Sequence, residues 1–303
     1  MDTAVPSQRR DVHRAITDSI VAAIEAGTDK CERPWHRPGL QMPMNANTTS
    51  AYRGVNVVAL WAQAIDRGYA SNLWASYKQW QSMGAQVRKG ERGSMIVFYK
   101  RLEELPLEAE DDGQSRLNFV ARASHVFNAQ QVDGFEAPPV ERLSEFQTDQ
   151  EAEAFVEAVG AEVRHGFTTA CYRRSTDNIE MPDTEWFVGT STSSPLQSYY
   201  GVLCHELTHW TGAPHRLARD MGKRFGDQAY AMEELVAEIG AAFLCSALGI
   251  ASEPRPDHAA YVSTWLQVLK GDSKAIFTAA SKAQEAYEHL AYLATADKQQ
   301  AAQ

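Results

Sequence analysis

The pentapeptide His205-Glu206-Leu207-Thr208-His209 constrains this chain more than any other feature. Two imidazoles four residues apart converge when the segment is helical, because i and i+4 share a helix face. The surrounding run, YYGVLCHELTHW, reads as a helix from about Leu196 to Trp210 behind Pro195. Both histidines then reach one metal ion, and Glu206 lies beside it, placed to act on a bound water. Zinc asks for a third protein ligand and an open fourth position. Two answers are available. HELTHWTGAPH fits a pattern in which a turn at Gly212 returns His215 to the metal. Alternatively, Glu234 and Glu238 share a face of the later segment YAMEELVAEIGAAFL. One of them binds the metal and the other orients a histidine ligand. Carboxylates set among Val236, Ala237, Ile239, Gly240 and Ala241 are costly to bury unless paired or metal-bound. No Met-turn follows His215, which ranks it below Glu234.

The rest of the chain is that of a globular protein of about two domains. Its 303 residues are 44 % apolar and 22 % charged. The longest uncharged stretch in a helical segment, Ile239 to Ser252, falls short of the ~20 residues that span a bilayer. MDTAVPSQRRDVHR has no apolar core and does not read as a secretory signal. Four scattered cysteines without a CxxC pair argue against a disulfide framework. A cytoplasmic protein with no membrane partner is expected.

Helical periodicity or breakers place helices over about Ser7–Ala26, Val55–Arg67 and Trp74–Gly84, then Thr148–Val159, Asp227–Leu248, His258–Leu269 and Ser273–Leu293. DKQQAAQ reads as a frayed tail. Strands are expected at Met95–Tyr99 and Leu117–Phe127, with short ones near Glu162, Ala170 and Ile179, and an exposed acidic loop over 103–115. The Pro-Pro pair at 138–139 marks a boundary, giving domains 1–138 and 139–303. Helix and strand mix without βαβ alternation in each, so the class is α+β.

Charge divides unevenly. Residues 1–102 hold 14 Lys+Arg against 8 Asp+Glu, whereas 141–303 hold 13 against 23. A basic front suits a polyanion. Single-stranded nucleic acid is held by cations that follow phosphates and by aromatic faces that stack bases. Tyr52, Arg53, Lys78, Arg88, Lys89 and Lys100 are the expected contacts. Trp61, Trp74, Tyr77 and Trp80 fit a packed helix face at least as well. Asn45, Asn47, Asn56, Asn128 and Gln131 are available for base edges. With no recognition helix or zinc finger in the sequence, binding is expected to be sequence-tolerant and salt-sensitive.

The stretch YYGVLCHELTHWTGAPHRLARD…FGDQAYAMEELVAEIGAAFLCSALGI resembles the metallopeptidase-like domain of ArdC-type antirestriction proteins. NANTTSAYRGVNVVALW, LWASYKQWQSMGAQVRKGERGSMIVFYKR and ASHVFNAQQVDG resemble the single-stranded-DNA-binding domain of the same family, also found at the front of some conjugative primases. The resemblance implies a zincin-like, gluzincin-type back domain with His205, His209 and Glu234 as ligands. Glu206 becomes the catalytic acid/base and Glu238 the supporting acid. It also implies one divalent metal, zinc first, with manganese or cobalt accepted by the same ligands. The implied role is protection of incoming plasmid DNA during conjugation, with single-stranded DNA as partner and a host restriction or defence protein as peptide substrate. His215, Tyr199 and Tyr200 are candidates for stabilising the oxyanion. The competing expectation is a DNA-coating protein whose metal site is structural or inactive, protecting by occupancy.

Overall fold

The computed structural model describes residues 11–27, 35, 40–101, 119–138, 144–190, 193–222, 228–251 and 259–300. Helix α1 (Val12–Ala26) starts where the Asp11 carboxylate accepts the N–H groups of His13 and Arg14, and it buries Ile16, Ile20 and Ile24. Strand β1 (Met44–Asn45) precedes α2 (Val55–Arg67), which stops at Gly68 in the left-handed conformation, φ +68°. The helix expected from Trp74 starts later. Leu73–Ala75 is strand β2, and only Tyr77–Ser82 is helical, as α3 behind a Ser76–Gln79 capping box. A bond from Trp80 Nε1 to the Phe127 carbonyl, 3.0 Å, ties α3 to the strands.

Strand β3 (Gln86–Val87), β4 (Ser94–Arg101), β5 (Phe119–Asn128) and β6 (Val132–Asp133) complete the front half. The main sheet runs β1-β2-β5-β4, and β4 pairs antiparallel with β5 from Ser94↔Val126 to Arg101↔Phe119. β3 pairs with β6. The acidic loop at 103–115 and the boundary at 139 lie outside the described residues.

In the back half, α4 (Glu145–Val159) begins three residues before the expected start, because Ser144 and Gln147 form its capping box. Strands β7 (Val163–Arg164), β8 (Cys171–Arg173) and β9 (Asn178–Glu180) make a sheet in the order β7-β9-β8. Helix α5 (Pro195–Thr211) follows, then α6 (Gln228–Leu248), α7 (Ala259–Gly271) and α8 (Ala275–Gln300). α8 carries on past Leu293 into the segment read as a tail. Ala231 and residues Glu233 to Cys245 of α6 are buried, as befits a helix enclosed on all sides.

The two halves share one core. Ile16 and Ile20 of α1 and Val58 and Trp61 of α2 belong to the same apolar cluster as Leu235 and Phe243 of α6, Trp265 of α7 and Ile276 of α8. Trp61 meets Phe243 edge to face at 5.6 Å. A second cluster joins α4, α5, α6, α8 and the small sheet, and it backs α5, which carries both histidines. No helix among the described residues is long and apolar enough to cross a membrane.

Candidate metal centre

Helices α5 and α6 approach closely because Gly240 has no side chain. A Cβ there would stand 2.5 Å from Thr208 Cγ2. That contact sets His205 and His209 of α5 against Glu234 of α6, all three buried. The Nε2 atoms of the two histidines are 3.1 Å apart. Glu234 Oε2 lies 3.5 Å from His205 Nε2, and Oε1 lies 3.6 Å from His209 Nε2. A tetrahedral ion with bonds of ~2.0–2.1 Å separates its ligands by about 3.3 Å; one donor atom from each of the three residues lies within 4.8 Å of the others, close enough to gather about one small divalent cation.

Electrostatics ask for positive charge at the same place. Burial disfavours ionised Glu234, yet the two imidazoles hold its pKa below the usual carboxylate range. Burial also opposes a charged His209, but Glu233 and Glu234 push its pKa up to about 10. Two imidazole lone pairs facing each other at 3.1 Å need a proton or a cation between them.

Glu233 is the acid to which sequence reasoning assigned no role of its own. Its Oε1 lies 3.1 Å from His209 Nδ1. Arg219 grips the same carboxylate through Nε, 3.0 Å, and Nη2, 2.8 Å, with side-chain exposures of only 2 % and 4 %. Arg219 also donates to the Thr208 carbonyl and to Thr211 Oγ1. Its guanidinium passes across Gly212, where a Cβ would lie 2.9 Å from Nη2. The glycine of HELTHWTGAPH therefore admits Arg219. It does not turn His215 inward: that ring is 62 % exposed and lies 3.2 Å from Asp177 Oδ2. The sequence signal for Glu233 was its place next to Glu234, since neighbours about 100° apart on a helix can straddle one ring. Glu238, one turn further along α6, is buried as well.

Glu206 follows His205 and is 4 % exposed. The Tyr172 N–H of β8 donates to its Oε2 at 2.9 Å, so the small sheet orients this carboxylate. The Tyr172 hydroxyl bonds Asp177 at 2.7 Å, and Arg216 bonds Asp177 while stacking 3.7 Å over Trp210. These contacts fasten β8 to the end of α5. Of the residues considered for an oxyanion, Tyr199 bonds His165 at 2.9 Å, Tyr200 is buried, and His215 faces Asp177.

The front-half expectations need one clear correction. Tyr52 is 8 % exposed, with its hydroxyl held between Asn45 and the Trp74 carbonyl, so its ring is core and closed to a base. The Tyr52 hydroxyl needed a partner, and the β1–β2 region supplied it. Trp61, Trp74 and Trp80 are buried too. Asn56 clamps Val97 through its N–H and its carbonyl, and Asn128 and Gln131 cap a buried turn, so these amides serve the fold. Arg53 pairs with Glu288, and Arg88 bonds Glu91 and Asp133. Lys78 and Lys89 are exposed, and the Lys100 side chain lies outside the described ones.

Comparison with known proteins was consistent along the chain. Residues 10–127 match the model of the N-terminal domain of anti-restriction factor ArdC, and residues 150–282 match that of a zincin-like metallopeptidase. A Sinorhizobium fredii protein, y4eC, is 44 % identical over 286 residues, covering 92 % of this chain and 91 % of its own. An Escherichia coli DNA primase, TraC, is 37 % identical over 91 % of this chain, which spans 27 % of the primase. The metal-free crystal structure of the antirestriction protein ArdC from plasmid R388 is 39 % identical, with a TM-score of 0.76, covering 94 % of this chain and 98 % of that one. Its Mn(II)-bound structure is 38 % identical, with a TM-score of 0.75.

Proposed function

From the premise that the chain belongs to the ArdC antirestriction family, we propose that it binds single-stranded DNA through residues 1–138 and cleaves peptide bonds through residues 139–303. The biological result is protection of incoming plasmid DNA, in the cytoplasm, against a host restriction or defence protein. The observation that carries the catalytic half is the buried convergence of His205, His209 and Glu234. They hold one divalent cation: zinc suits the donor set, and manganese, bound by the R388 relative, and cobalt suit it too.

A divalent cation held there would supply Lewis acidity and draw the pKa of water toward ~7. Glu206 is placed to accept the proton that water gives up as its oxygen adds to the peptide carbonyl, and to return it to the amine as the C–N bond breaks. The Tyr172 N–H fixes the direction of its carboxylate. Glu233 and Glu238 are the supporting acids on α6. The DNA-binding half draws support from the exposed cations Lys78 and Lys89 and from the likeness to part of a DNA primase.

Glu206→Ala tests the proteolytic mechanism. It removes the proton carrier and leaves the DNA surface intact. Transfer of a plasmid into a restricting host is expected to lose its protection. Protection that survives the change sinks proteolysis and leaves the coating mechanism, with an inactive or structural metal site.

A further inference from the structure

A groove of about 950 Å³ runs between the outer end of β4 and the first half of α8. Phe98 and Tyr99 line it from the front half, 53 % and 52 % exposed. Lys274, in the turn just before α8, and Lys282 of α8 line it as well. Arg53 stands at the rim, paired with Glu288, and Glu285 is a further acid on the α8 side. The Arg53–Glu288 pair is 67 % and 43 % exposed, so trading the carboxylate for a phosphate costs Arg53 little.

Elimination gives this groove its meaning. A single strand needs exposed aromatic faces, and the front half buries Tyr52, Trp61, Trp74 and Trp80. Among its described residues the large exposed aromatics are Tyr77, Phe98 and Tyr99. Tyr77 borders a smaller cleft of about 680 Å³ beside Arg88 and Lys89, where Glu91 and Asp133 already engage Arg88. Phe98 and Tyr99 follow each other on the edge strand β4, so their rings leave opposite faces of the sheet and border the larger groove from two sides, with three cations along it.

We propose that single-stranded DNA lies in this groove, with bases on Phe98 and Tyr99 and phosphates facing Arg53, Lys274 and Lys282. Helix α8 of the back half is then part of the DNA surface. The placement rests on the single-stranded-DNA reading above and extends it across the shared core.

The test uses the full chain and a fluorescent oligo-dT at several salt concentrations. The variants are Phe98→Ala/Tyr99→Ala and Lys274→Ala/Lys282→Ala, with Trp186→Ala as a control, an aromatic 70 % exposed and outside the groove. The aromatic pair is expected to lose roughly ten- to hundred-fold in affinity, the effect of one or two lost stacks. The lysine pair is expected to lower the slope of log affinity against log salt by about 1.4, at ~0.7 per phosphate. Trp186→Ala is expected to bind as wild type does. If the aromatic pair misfolds by melting, the lysine slope decides. Groove variants that bind normally, while Tyr77→Ala or Lys89→Ala binds weakly, overturn the placement and move the strand to the smaller cleft. A wild-type chain that does not bind oligo-dT overturns both the placement and the DNA reading beneath it.

Discussion

Glu233 Oε1 lies 3.1 Å from Nδ1 of His209, at the ring nitrogen opposite the one that faces Glu234. Adjacent glutamates on α6 thus hold one imidazole from two sides. One carboxylate fixes the ring and the other meets the metal position. Removing the charge of Glu233 affects both roles. Glu233→Gln leaves the buried Arg219 guanidinium without its carboxylate, which costs about 3–5 kcal/mol of stability. The same change is expected to weaken metal binding by about 10–100-fold, read by competition with a coloured chelator.

Metal binding is expected to expel a proton. Burial opposes the imidazolium of His209, but Glu233 and Glu234 push its pKa up to about 10 from 6.5. In the metal-free chain that raised value adds stability below about 6.5, and the gain is lost as pH rises through about 10. A cation must displace the proton, so the apparent dissociation constant falls roughly tenfold per pH unit within that window. Calorimetry in buffers of different ionisation enthalpy reads the released proton directly. A pH-independent affinity would contradict the arrangement.

The helix contact at Gly240 is expected to tolerate no side chain. Gly240→Ala places a methyl 2.5 Å from Thr208 Cγ2 and destabilises by about 1–3 kcal/mol. Metal affinity falls with it, because α5 and α6 carry different ligands. Thr208→Ala in the same chain is expected to restore part of both, which a double-mutant cycle measures.

The tie between β8 and α5 carries an acid sensitivity. The Arg216 guanidinium holds the Asp177 carboxyl down to about 2 from the ordinary 3.8. Its contribution to stability is complete above about pH 4 and is lost as pH falls through about 2. The difference in melting temperature between wild type and Asp177→Asn is expected to be constant from pH 5 to 7 and to vanish near pH 2. A difference that persists at pH 2 would assign the tie to other groups.

Much of the geometry of the candidate metal site was legible because helical spacing is a local rule. His205 and His209 needed only the i, i+4 face; a second helix with acids among small residues marked Glu234 and Glu238 together, and the family resemblance singled out Glu234. Which acid serves which nitrogen depends on the rotation of α6 against α5, set by Gly240 and Thr208 across 32 residues of sequence. No local pattern encodes that, so Glu233 was left without a role. Arg219 was hidden for the same reason: its partner lies 14 residues away. Helix α2 was read to the residue, whereas Trp74 and Ala75 were read as helix but are strand, because tertiary pairing with Met44–Asn45 and β5 overrides a helical pattern. The buried place of Tyr52 and the core shared by both halves arise from packing between distant segments, which composition does not record.

The central claim is the identity of the third ligand. Metal content per chain, measured on protein purified without chelator, tests it in wild type, Glu234→Ala and His215→Ala. The account predicts about one divalent ion in wild type and in His215→Ala, and none in Glu234→Ala. An ion kept by Glu234→Ala and lost by His215→Ala would contradict it.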